Sequence, residues 1–220
     1  MDIINELEHR LYAERNKENA QAMEKYMRNL FPFIGIKTPE RNKLLSTFYQ
    51  DTGLLKKPFD RSFVRTLWKK EEREFQYTAL NYMTRKKKEL QPEDLTLCHD
   101  LITEKSWWDT VDHIASHLVG TLAKRFPEEV LPTVDKWPTD DNMWLRRTAI
   151  IYQLKYKGET DEQRLYGNIL KNATNHEFFI QKAIGWALRE YSKTNPDSVR
   201  AFIQQHPLPK LSVREGSKYV

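Results

Sequence analysis

Four short stretches decide the fold: FQYTAL (75–80), VDHIAS (111–116), LRRTAI (145–150) and IQKAIG (180–185), each carrying an alanine near its centre. Set in register, they place Ala79, Ala115, Ala149 and Ala183 at successive separations of 36, 34 and 34 residues. A small residue that recurs once per two helices lets helices approach closely. Helix pairs stacked at that period build an α-solenoid whose concave wall is made by one helix of each pair. The rival arrangement, a non-repetitive helical bundle, is weaker because no single pair carries enough apolar surface to bury its own face.

Outward from these stretches, apolar residues recur every three or four positions. The spacing predicts helices over about 2–15, 17–30, 39–50, 60–69, 71–89, 92–104, 107–125, 127–136, 141–157, 160–172, 176–193 and 196–205. Seven scattered glycines and the lack of β-branched alternation leave no strand signal. Pro39, Pro92, Pro127 and Pro196 fall where a first helical turn tolerates a missing N–H, and Thr38, Asp60, Asp141 and Asn195 offer capping oxygens. No low-complexity linker divides the chain, so residues 1–220 are expected to form one all-α domain.

Composition narrows the function. With 36 Lys+Arg against 31 Asp+Glu the net charge is +5, compatible with a polyanionic partner but not diagnostic of one. The lone Cys98 permits no internal disulfide and fits a reducing compartment, and the start MDIINELEHR lacks the basic and apolar regions of a secretion signal. A cytoplasmic protein is expected. Mean hydropathy is −0.76 and no apolar run nears the ~18 residues needed to cross a bilayer, so membrane spanning is excluded.

No Gly-rich phosphate loop, GxSxG elbow, HExxH or paired-cysteine spacing is present, which removes the commonest nucleotide, hydrolase and zinc readings. The strongest local signal is SWWDTVDHIASH (106–117). Its helical spacing puts Trp108, Asp112 and Ala115 on one stripe and Asp109, His113 and His117 on another. The second stripe has metal-ligand residue types, but ligands at i, i+4 and i+8 diverge from a tetrahedral centre, and no metal is expected. On the first stripe, one repeat sets Asp112 beside Arg147 and leads on to Trp186. Two readings of these residues stay open: core aromatics with a buried Asp112–Arg147 ion pair, or a site on the concave wall. The run Arg85–Lys88 in TRKKKEL (84–90) fits either a phosphate contact or ordinary cations at a helix end.

YMRNLFPFIGIKTPER, WWDTVDHIASHLVG, MWLRRTAIIYQL, IQKAIGWALREYSK and LSVREGSKYV together resemble the AlkD-type DNA alkylation repair glycosylases over nearly the whole chain. The resemblance implies a curved solenoid of HEAT-like repeats that holds duplex DNA on its concave face and excises positively charged N3- and N7-alkylated purines without a base-flipping pocket. It implies catalytic roles for Trp108, Asp112 and Trp186, and DNA binding by Arg147, its neighbour Arg146 and Tyr26. The expected protein is a monofunctional DNA glycosylase, a monomer with no cofactor, whose partner is double-stranded DNA with alkylated bases. Gly216 departs from the more usual REALK ending and bears on the terminal helix alone. The alternative from another class is a non-catalytic HEAT-like module that binds damaged or branched DNA, or a protein, through the same wall.

Overall fold

A computed structural model describes residues 2–220, which are helical with no strand among them. The chain falls into two compact units that meet in sequence at Leu90 and Gln91. The first contains α1 (Ile3–Ala13), α2 (Lys17–Tyr26), α3 (Thr38–Thr52), α4 (Arg61–Lys69) and α5 (Arg73–Arg85). The second contains α6 (Asp94–Thr103) and α7 (Trp108–His113), from which a π-helical segment (Ile114–Val119) runs into α8 (Gly120–Arg125). It continues with α9 (Pro127–Val134), α10 (Met143–Ile151), α11 (Glu162–Leu170), α12 (Phe178–Ser192), α13 (Pro196–Gln205) and α14 (Lys210–Gly216).

The repeat is sharper in the structure than in the alanines. Helices α5, α7, α10 and α12 begin at Arg73, Trp108, Met143 and Phe178, a step of 35 residues each time. Ala79, Ala115, Ala149 and Ala183 are all buried. In the second unit α10 packs against α7 and its π segment on one side and α12 on the other. The core there is aliphatic, with Ile150, Ile151, Leu165, Ile180, Ile184 and Leu188 among its members.

Asp60 and Asn195 cap α4 and α13 as expected, through Ser62 N and Phe63 N and through Ser198 N. Thr38 instead becomes the first residue of α3, which has no side-chain cap, and at α10 a neighbour of the expected residue takes the cap. Asn142, not Asp141, accepts Trp144 N at 2.8 Å to start α10. Pro92 precedes α6, which has no side-chain cap; Asp94 in its first turn accepts the N–H of Gln91 at 2.8 Å and ties down the preceding turn. Two predicted helices stop early for visible reasons. Helix α5 ends at Arg85 because Lys86 turns inward and its ammonium donates to the carbonyls of Leu55 and Lys57. Helix α10 ends at Ile151 because the Gln153 amide takes both the N–H and the carbonyl of Asp161, folding the chain back. The 107–125 window is helical from Trp108 to Arg125, with a π-helical turn inside it.

In the first unit a buried Glu74 carboxylate accepts the N–H groups of Ile34, Gly35 and Ile36 at 2.9–3.1 Å. Gly35 is required in this turn: its φ is +98°, and a Cβ there would sit 2.0 Å from the Asn16 carbonyl oxygen. In the second unit the terminal helix α14, beyond the twelve predicted windows, presses against α12 through glycine. A Cβ on Gly185 would lie 2.6 Å from Glu215 Cβ, and one on Gly216 would lie 2.9 Å from Leu188 Cβ. The departure at Gly216 thus coincides with a close helix–helix approach.

Candidate active site

Trp107 is extended (φ −159°) and Trp108 opens α7, so Asp112 falls on the second turn. One 35-residue repeat later the same slot on α10 holds Arg147. Because the two helices pack side by side, the slots meet. Arg147 Nε donates to Asp112 Oδ1 at 2.7 Å and Nη2 donates to Oδ2 at 2.8 Å, a bidentate fork. Nη1 donates to the Phe179 carbonyl at the start of α12, so all three guanidinium nitrogens are engaged within the protein. The pair is nearly buried, at 5% side-chain exposure for Arg147 and 13% for Asp112. Burial raises the Asp112 carboxyl above its ordinary value, and the fork opposes that rise. The net direction is upward, so the fork offsets the cost of burial only in part.

Three aromatic rings that sequence reasoning passed over stand beside this pair. Trp107 lies 5.8 Å from Trp144 and 5.0 Å from Phe179, centroid to centroid, and Trp144 lies 5.1 Å from Phe179. The Arg147 guanidinium carbon is 5.9 Å from the Phe179 ring centre. The signal was present, since Trp144 and Phe179 occupy one repeat slot at the starts of α10 and α12. The cluster keeps water from one side of the ion pair and so strengthens it.

On its other side Asp112 opens onto a cleft of about 570 Å³. Ser116 and His117 of the π segment, Trp186 and Glu190 of α12, and the two lysines Lys155 and Lys157 complete its working surface. Asp112 and Trp186 are therefore brought to one cavity. Trp108 sits one turn before Asp112, outside that lining. The imidazoles of His113 and His117 stack face to face, 4.3 Å apart and 13° from parallel. Burial lowers His113 to about 4, helped by His117 and Lys155.

The remaining expected residues are placed as follows. Arg146 Nη1 donates to the carbonyls of Asp140 (2.6 Å) and Asp141 (3.1 Å), bracing the loop that enters α10. Tyr26, in the first unit, ends α2 and is 71% exposed. Its loop is shaped by two consecutive left-handed residues, Arg28 and Asn29 (both φ 56°), and by the Arg73 guanidinium 3.8 Å over the Phe31 ring. Of the basic run, Lys86 is buried against backbone carbonyls and Arg85 lies 5.7 Å from the Tyr49 ring centre.

The helical repeat thus closes a buried aspartate–arginine pair beside a cleft that Trp186 lines. The chain belongs to the DNA alkylation repair enzyme family, whose model matches residues 7–220. A solved structure described as a predicted DNA alkylation repair enzyme from Enterococcus faecalis is 35% identical, with a TM-score of 0.86 over 94% of this chain and 96% of that one. The crystal structure of smu.31 from Streptococcus mutans UA159 shares the fold, at 17% identity and a TM-score of 0.60 over 82% of this chain and 99% of that one. Among proteins of curated function, none matches. No helix among the described residues is long and apolar enough to cross a membrane.

Proposed function

We propose that the protein is a monofunctional DNA glycosylase that hydrolyses the N-glycosidic bond of positively charged N3- or N7-alkylated purines in duplex DNA, without flipping the base into a pocket. The observation that carries this reading is the forked, partly desolvated Asp112 carboxylate facing the same cleft as Trp186.

An alkylated purine already bears positive charge and leaves as a neutral base, so no general acid is required. As the bond lengthens, the sugar becomes oxocarbenium-like. Asp112 stabilises that charge and orients the attacking water, whose proton it or the solvent accepts. Trp186 and Trp108 offer π faces to the cation, each worth ~0.5–2 kcal/mol. Arg147 orients the carboxylate through its fork and opposes the effect of burial on it. Tyr26 and Arg146 are the proposed contacts to the duplex. The protein works in the cytoplasm as a monomer with no cofactor.

The test compares release of 7-methylguanine and hypoxanthine from otherwise identical duplexes across pH 5 to 8. Release of the cationic base alone is expected. Equal rates at neutral pH would require a general acid and end this mechanism. No release from any alkylated duplex, with binding retained, would favour the non-catalytic module instead.

A further inference from the structure

The cleft beside Asp112 holds a second carboxylate that the mechanism above does not use. Glu190 lies four residues after Trp186 on α12, so indole and carboxylate share one face of the helix, and both line the cleft into which Asp112 opens. Glu190 stands in the last turn of α12, where a negative charge opposes the helix dipole, and its one ion pair is with the half-exposed Lys193, three residues on, at 2.6 Å. A carboxylate on a surface meant for DNA also repels phosphate. Lys155 and Lys157 line the same cleft, so its charge is mixed rather than uniformly basic.

A carboxylate, an indole and a second carboxylate along one open cleft suit a cationic nucleotide that lies against it within the duplex. We infer that Glu190 is a specificity-determining residue that reads the positive charge of the alkylated base, while Asp112 serves the sugar. This rests on the glycosylase reading. Lys193, by pairing with Glu190, offsets part of its charge and so sets how strongly the cleft discriminates.

The experiment measures binding to an undamaged duplex and to one carrying 7-methylguanine on a 2′-fluoro sugar that resists cleavage, together with single-turnover excision of 7-methylguanine, for wild type, Glu190→Gln and Lys193→Met. Glu190→Gln is expected to lower the preference for the cationic duplex, and the excision rate at limiting enzyme, by roughly three- to five-fold, with undamaged DNA bound as well or better. Lys193→Met is expected to raise the preference. A Glu190→Gln protein with unchanged preference, or one that loses both duplexes alike, overturns the inference. If wild type cleaves nothing yet prefers the cationic duplex through Glu190, the glycosylase reading fails and the charge-reading role stands.

Discussion

Arg147 grips both carboxylate oxygens of Asp112 from 35 residues away, and its remaining nitrogen is tied to the Phe179 carbonyl. The site's one forked acid is thus held by three successive repeats at once, α7, α10 and the start of α12.

Asp112→Asn is expected to reduce single-turnover excision of 7-methylguanine by about 100-fold or more, because it removes the charge that matters as the sugar turns cationic. It also leaves a buried guanidinium without its counter-charge, so the melting temperature falls. Activity within a few-fold of wild type would remove Asp112 from the chemistry.

Replacing Arg147 separates its two expected roles. With every nitrogen engaged inside the protein, Arg147→Ala is expected to cost roughly 3 kcal/mol of stability and most of the excision rate, while leaving the salt dependence of DNA binding unchanged. A log K against log salt slope smaller by about one would assign it a phosphate contact instead. The loss on Arg147→Ala should shrink in an Asp112→Ala background, as coupled partners require.

Acid stability should fall in two steps. His113 is near 6.5 unfolded and about 4 folded, so the unfolded chain binds more protons between those values. Stability is full above about pH 6.5 and declines toward pH 4, by on the order of 2 kcal/mol. Glu215 is held at about 2, chiefly by Lys218 and with Lys182 contributing, so its share is present above its ordinary value and is lost as pH falls further. Denaturant melts from pH 7 to 3 on His113→Gln should lose the upper step and keep the lower one.

Gly185→Ala is expected to destabilise by about 1–3 kcal/mol, since its Cβ would meet Glu215 Cβ at 2.6 Å and the Ser212 carbonyl oxygen at 3.1 Å. The next residue is Trp186, so excision should fall more than duplex binding does. A variant as stable as wild type would show that α14 yields easily.

The pairing of Asp112 with Arg147 was legible in the sequence, because one repeat step is arithmetic and stacked repeats bring equal slots together. The all-helical chain was legible for the same reason. Of the Trp107–Trp144–Phe179 cluster only the shared repeat slot of Trp144 and Phe179 was legible, since ring contacts depend on how closely helix starts approach, which spacing does not give. Nothing in ALREYSK singles out Glu190, and only its shared cavity with Trp186 distinguishes it. Asp141 was taken for the cap one residue ahead of Asn142 because both residue types suit the position. The early end of α10 depends on a side chain, Gln153, finding a backbone partner eight residues on.

The wide turn at Ile114–Val119 gives the helix that carries Asp112 a phase of its own. Each residue of an α-helix turns the chain by about 100°, so the residue accommodated in this turn rotates Trp108–His113 relative to Gly120–Arg125 without interrupting the rod. Its far end is clamped, with the Tyr156 hydroxyl on the Gly120 carbonyl at 2.6 Å and the Tyr152 carbonyl against Gly120 itself. Removing Leu118 would leave Trp108, Asp112, Arg147 and Trp186 in the chain and swing Asp112 away from Arg147. The aim of the carboxylate is therefore set by a residue count, and a shortened helix could keep the complete motif while facing its acid elsewhere.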